Sequence, residues 1–189
     1  MNSAFMAYIH NATWATYLVA FMLSLYFISI FWVFIYRYFY LTEKLTIEKE
    51  AVEYLLSDFK GNAKGSYLEK CEAFGKVNER SIRACMLAAT KDVTTGLSLL
   101  SIVASTSPFI GLFGTVVSIL ESFAKMGIEG GANVQAIAPS ISEALVSTAF
   151  GILVAIPAFA FHIILKRRGF EIINYINMQS EIILSKSTK

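Results

Sequence analysis

Ser107-Pro-Phe-Ile-Gly-Leu-Phe-Gly-Thr115 lies inside a stretch from Val93 to Leu120 that carries no charged side chain. Four of its nine positions nevertheless hold Ser107, Gly111, Gly114 and Thr115. A helix built only to dissolve in lipid would fill those positions with Leu, Ile or Phe. Ser107, Gly111, Thr115, Ser118 and Ser122 recur at helical spacing and share one face, which Gly114 widens. This face is too small and too polar for lipid, so it is expected to meet protein.

Two further stretches lack charge, Trp14 to Tyr36 and Ala144 to Leu165. All three exceed the roughly 20 residues that cross a hydrocarbon core. With 56% hydrophobic and 16% charged residues, the 189-residue chain reads as a membrane protein. No Lys or Arg precedes the first stretch, so it is expected to stay as a membrane helix and not to be cleaved as a secretory signal.

Basic residues near the spans are retained on the cytoplasmic side. Residues 37–92 hold ten of the sixteen Lys and Arg, and Lys166-Arg167-Arg168 follow the third stretch at once. The expected order is a periplasmic N-terminus (1–13), a first transmembrane helix (14–36) and a cytoplasmic helical segment (37–92). A lead-in and second transmembrane helix (93–120) follow, then a periplasmic loop (121–135), a third transmembrane helix (136–165) and a cytoplasmic C-terminal helix (166–189). The fold class is an all-α membrane protein.

The aromatics Trp14, Tyr17, Trp32, Tyr36, Tyr38 and Tyr40 mark two interfacial belts on the first helix, which reads as lipid-facing. Beyond it, Ile47, Ala51, Val52, Leu55, Leu56 and Phe59 form an apolar stripe that continues the helix, and residues 61–65 break it. Ser66 and Glu69 make a capping box for the next helix. Phe170, Ile173 and Ile176 repeat an apolar face in the tail. These stripes are expected to pack on each other or on further copies of the chain.

Several function classes are excluded. The residues show no phosphate loop, nucleophile elbow or metal-binding spacing, so no enzyme, metal or cofactor is expected. The ten bases of 37–92 are balanced by nine acids, which leaves no footprint for nucleic acid. Cys71 and Cys85 read as reduced structural thiols, and His10 and His162 as isolated, satisfied histidines.

The third span carries a matching small-residue face: Ala144, Thr148, Gly151, Ala155 and Ala158, with Ser147 beside them. Small residues let helix backbones approach where lipid supplies no hydrophobic drive, which assigns Gly111, Gly114, Ala144, Gly151 and Ala155 to helix packing. Glu143 points further. An ionisable carboxyl inside a span is costly and marks a bundle interior or aqueous path. Pro108 and Pro157 interrupt the helical hydrogen bonding and are kink positions.

Ser107-Pro-Phe-Ile-Gly-Leu-Phe-Gly-Thr-Val116, followed by Ile137-Ala-Pro-Ser-Ile-Ser-Glu-Ala-Leu-Val-Ser-Thr-Ala-Phe-Gly-Ile-Leu-Val-Ala-Ile-Pro157, resembles the ExbB/TolQ/MotA proton-channel superfamily. Three spans place it with the ExbB/TolQ branch, and GLFGT with IAPSISEAL leans towards TolQ. The resemblance covers about residues 100 to 165. It implies a bacterial inner-membrane motor subunit in which five copies surround the single helices of an ExbD-like or TolR-like dimer. Energy from proton flow would pass to a TonB-like or TolA-like protein acting at the outer membrane. The family's pore threonines fall on Thr115 and Thr148 and its third-span glutamate on Glu143, with Ser118 and Ser147 as further pore-lining hydroxyls. The alternative is a non-conducting membrane scaffold whose stripes serve packing alone.

Overall fold

The computed structural model describes residues 14–57, 65–72, 79–129 and 134–187, which form helices and no strand. The order is α1 (Trp14–Leu56), α2 (Tyr67–Glu72), α3 (Glu79–Thr94), α4 (Leu97–Glu129) and α5 (Val134–Ser187). Three of the helical stretches are long and apolar enough to cross a membrane. The first helix continues from its charge-free part through the amphipathic stripe without a break, because no Gly or Pro interrupts Trp14 to Leu56.

The chain divides into two compact units. Met1–Trp32 and Leu99–Ala160 make the first, and Val33–Ser98 and Phe161–Lys189 the second. The first unit buries Val19, Leu23 and Ile30 of α1, Leu100 and Val103 of α4, and Ala144, Val154 and Ala158 of α5. The second buries Leu41, Ala51 and Val52 of α1 with Leu165, Ile172 and Ile176 of α5, joined by Leu68, Ile82, Ala89 and Val93. Burial therefore follows helical spacing along each long helix, while Phe21, Trp32, Phe109, Leu120 and Ile156 stay on the outside.

Three local expectations change. The first span is not lipid-facing all round: Thr16, Val19, Leu23 and Ile30 line one buried side, and the aromatics Trp14, Tyr17 and Trp32 occupy the exposed side. The loop expected over 121–135 is mostly helix, because α4 runs to Glu129 and α5 begins at Val134. Gly127 alone does not stop α4, and the first tandem glycine after it is Gly130-Gly131. The lead-in is also divided from the second span, because Gly96 adopts φ +83° and ends α3 in the left-handed conformation that glycine tolerates. Pro108 and Pro157 both lie inside continuous helices.

The contact of α4 with α5 determines the first unit. A Cβ added to Gly151 would stand 2.6 Å from the Ser107 carbonyl oxygen and 3.1 Å from the Gly111 Cα. One added to Gly111 would stand 2.7 Å from the Ser147 carbonyl oxygen and 3.0 Å from the Thr148 Cα. Backbone touches backbone here, so no rotamer change relieves a substitution. At Gly114 the neighbours are side-chain atoms, the Ser147 Cβ at 3.2 Å and the Val19 methyls at 3.3 Å.

Gly151→Ala should therefore lower thermal stability in detergent by an overpacking penalty of about 1–3 kcal/mol, partly offset by about 1 kcal/mol of helix propensity. Gly127→Ala, where nothing lies within 4 Å, should be neutral or stabilising. Thermal unfolding followed by circular dichroism checks both, and equal effects at the two positions would refute the backbone contact.

Candidate functional site

Close approach of α4 and α5 brings two hydroxyls together. Thr115 Oγ1 and Thr148 Oγ1 are hydrogen-bonded to each other, and Thr115 Oγ1 also lies 3.0 Å from the Ala144 carbonyl oxygen and 3.2 Å from that of Gly111. A hydroxyl has one proton and accepts through two lone pairs, so Thr115 donates to only one of these oxygens at a time. Thr148 donating to Thr115, with Thr115 donating to a carbonyl, is one arrangement; Thr115 donating to Thr148 is the other. Both threonines are half-buried in the single chain. The pair is thus a half-buried hydrogen-bonded element, with two donor–acceptor arrangements, at the contact of two largely apolar helices.

The remaining hydroxyls of the two stripes take other directions. Ser118, 5% exposed, lies 3.4 Å from the Thr16 hydroxyl of α1, and Ser122 donates to the Ser118 carbonyl oxygen at 2.8 Å. Ser147 is buried with its Cβ against Gly114. Ser107 is fully buried, and its hydroxyl has no partner among the described residues. Ala144 is buried beside the Thr115 hydroxyl, and Ala155 is half-buried on the same helix. Glu143 belongs to α5, but its side chain lies outside the described residues. A groove of about 350 Å³ between α1 and α5 is lined by Val19, Leu23, Phe27, Phe150, Leu153 and Val154. Its walls are almost wholly apolar and fit a hydrocarbon surface, not a polar ligand.

The second unit holds polar groups that no motif announces. Arg37, 7% exposed, donates to the Asp92 and Val93 carbonyl oxygens at 2.6 and 3.0 Å and so satisfies the open C-terminus of α3. Tyr40 and Tyr67 both donate to the Asp92 carboxylate, and the Lys44 ammonium lies over both rings. Burial would raise the Asp92 pKa, but the two phenol donors and the charges of Arg37 and Lys44 outweigh it and hold the carboxyl below its ordinary range. Burial and the neighbouring carboxylate push both tyrosines upward, so they remain protonated donors.

Glu48 is fully buried, and no basic side chain among the described residues lies within ion-pair distance of it. Its carboxyl oxygens accept from the Tyr67 N–H at 2.9 Å and the Gln179 amide at 2.6 Å, and they share the single proton of the Ser66 hydroxyl, 3.1 Å away, with Gln179 Oε1 at 2.9 Å from it. Ser66 in turn accepts from the Leu68 N–H, and Glu69 accepts from the Gly65 N–H, so α2 is capped from within and from α1. The sequence carried one signal for this cluster: Glu48 and Gln179 stand at core spacing beside Leu41 and Val52, and beside Ile172 and Ile176. His162 is satisfied, with Nδ1 3.1 Å from the Leu97 carbonyl oxygen. Cys85, expected as a reduced thiol, is disulfide-bonded, while the side chain of Cys71 lies outside the described residues.

Comparison with known proteins adds an independent line. A model of the MotA/TolQ/ExbB proton channel family matches residues 66–178. A Helicobacter pylori (strain J99) protein named ExbB-like 1 is 38% identical over 188 residues, covering 98% of this chain and 100% of its own length. A Xanthomonas campestris protein named ExbB is 41% identical over 85 residues, 44% of this chain and 34% of its own. A Pseudomonas aeruginosa Tol-Pal system protein named TolQ is 40% identical over 79 residues, 42% of this chain and 34% of its own. Relatives bearing both names thus match about equally over the shorter stretch, and the match along the whole chain bears an ExbB-like name.

The Asp92 cluster generates a pH dependence. A carboxyl whose folded pKa is depressed stabilises the fold above its unfolded value, and that contribution disappears as pH falls through the folded value. Asp92→Asn should therefore cost about 1 kcal/mol at pH 7, after discount for solvent screening, and the difference from the parent should persist down to the ordinary carboxylate value near pH 4 and shrink only as pH falls further, through the depressed folded value. Thermal unfolding between pH 3 and 8 measures it, and a difference that does not change with pH would remove the ionised carboxylate from the account.

Proposed function

Starting from a chain that belongs to the MotA/TolQ/ExbB proton channel family, on its ExbB/TolQ branch, we infer that this protein is the conducting subunit of a proton-driven motor in the bacterial inner membrane. The observation that carries this reading is the Thr115–Thr148 hydroxyl pair at the contact of two apolar helices. A hydroxyl pair that reverses donor and acceptor can receive a proton on one side and release one on the other without moving the backbone. A proton crossing the membrane potential releases about 2.3 kcal/mol per 100 mV, which is usable only where a polar route passes an otherwise dry bundle.

In this proposal the half-buried threonines face the interior of a homo-oligomer, a pentamer. Single helices of an ExbD-like or TolR-like dimer occupy that interior and supply the titrating carboxylate. Glu143 tunes the route near its outer end, and Ser118 and Ser147 support it from the side facing α1. The N-terminus is periplasmic and the C-terminus cytoplasmic. The energy passes to a TonB-like or TolA-like protein, and the chain is not an enzyme.

The backbone contact of Gly111 with Gly151 favours a second reading, a non-conducting scaffold, because packing alone accounts for those glycines. Thr115→Val, Thr148→Val and Glu143→Gln separate the two. Deleting one interhelical hydrogen bond in a membrane costs only about 0.6 kcal/mol on average, so a scaffold keeps its function in all three variants. A motor subunit should assemble normally in each and lose most proton-driven outer-membrane activity in a strain lacking the parental copy. Normal assembly with full activity in all three variants would establish the scaffold instead.

A further inference from the structure

Within the second unit, α1 and α5 meet through Phe34 and Phe161, whose rings stack 3.9 Å apart, and then through Arg168. The Arg168 guanidinium lies 4.4 Å over the Tyr38 ring and donates to the Tyr38 hydroxyl at 3.0 Å and to Thr42 Oγ1 at 2.8 Å. Thr42 spends its own proton on the Tyr38 carbonyl oxygen at 2.6 Å. Both acceptors of Arg168 are neutral. Among the described residues no carboxylate lies within ion-pair distance of Arg168 or of the exposed Lys166, whereas Arg167 next to them is paired with Glu171. A half-buried guanidinium is thus held by two hydrogen bonds and a ring, with no counter-charge among the described residues. Its other N–H groups, and the hydroxyl proton of Tyr38, have no acceptor among the described residues.

The position of this group narrows what would complete it. Tyr38 and Arg168 each stand within three residues of the end of a charge-free run, 14–36 on α1 and 144–165 on α5. Ile35 and Ile164, one turn earlier on each helix, are 53% and 42% exposed. Phosphate donors therefore border an apolar surface at the level where a bilayer passes from acyl chain to headgroup. A planar guanidinium preorganised by stacking and two hydrogen bonds suits a phosphate diester better than a mobile ammonium would.

We propose that Arg168, held by Tyr38 and Thr42, is a binding site for the phosphate of an anionic membrane phospholipid, whose acyl chains lie against Ile35 and Ile164. The site is separate from the hydroxyl pair and does not depend on proton conduction. The lipid would neutralise Arg168 and pin the α1–α5 seam at the bilayer surface.

Native mass spectrometry of the full chain in mild detergent tests this, with phosphatidylglycerol and phosphatidylcholine of identical acyl chains offered in equal amounts. The parent should retain phosphatidylglycerol preferentially. Arg168→Gln should reduce that preference about fivefold, the factor for one basic residue at an anionic bilayer surface, and Arg167→Gln should leave it unchanged. Should Arg168→Gln fail to fold, Tyr38→Phe keeps the stacked ring, removes one donor and should reduce the preference about threefold. Excess inorganic phosphate should not displace the lipid. The proposal is overturned by a parent without preference, by an equal loss in Arg167→Gln, by displacement with inorganic phosphate, or by folded Arg168→Gln or Tyr38→Phe that bind as the parent does.

Discussion

Contact between the backbones of α4 and α5 at Gly111 and Gly151 is the constraint on which the first unit depends. Hydrocarbon solvates Leu and Phe as well as another helix does, so apolar side chains alone give two membrane helices no reason to associate. Close approach supplies dispersion between backbones instead, and it is available only where both helices present hydrogen in place of a side chain. With Ser107 and Ser147 carbonyl oxygens at 2.6 and 2.7 Å from the absent Cβ positions, the separation is set at its minimum. That same minimum is what lets Thr115 reach Thr148 and the Ala144 carbonyl oxygen. Packing and polar chemistry here are one feature, because hydroxyls this short meet only when the helices nearly touch.

The second unit solves a different problem. Its helix ends and charged groups must be satisfied without a large core, and side chains from α1 do most of this. Arg37 closes the carbonyl end of α3, and Glu48 meets the amide end of α2 together with Ser66 and Gln179. Each bond joins residues far apart in the chain, so helices that are individually short are tied to two that are long. A buried carboxyl such as that of Glu48 is tolerable because its oxygens are supplied with donors; removing the Gln179 amide or the Ser66 hydroxyl would take away one of them and leave a buried polar atom less well satisfied.

Helical class, the three apolar spans and the small-residue faces were legible because each follows from composition or from a 3.6-residue period, which are properties of one segment at a time. The continuation of α1 past Tyr36 was legible for the same reason, from Ala51, Val52 and Leu55. The break at Gly96 was not, since a lone glycine inside an apolar run reads as packing until its φ is known. The helix over 121–129 was also missed, because polar residues beside a predicted membrane boundary resemble a loop although nothing in them stops a helix before Gly130-Gly131.

What the sequence determined by itself is which residues share a helical face, and hence that Thr115, Ser118, Thr148 and Ser147 belong to polar stripes in apolar helices. Only the tertiary structure decided how those stripes divide: Thr115 meets Thr148, Ser118 turns to Thr16 of α1, Ser147 packs on Gly114, and Ser107 is enclosed with no hydrogen-bond partner among the described residues. It likewise decided that Glu48 meets Gln179 and that Arg168 lies on Tyr38. Periodicity describes one helix about its own axis, whereas the partner of each residue depends on the rotation and separation of two helices. Those quantities come from contacts between residues more than a hundred positions apart in several of these pairs, where no local pattern carries information.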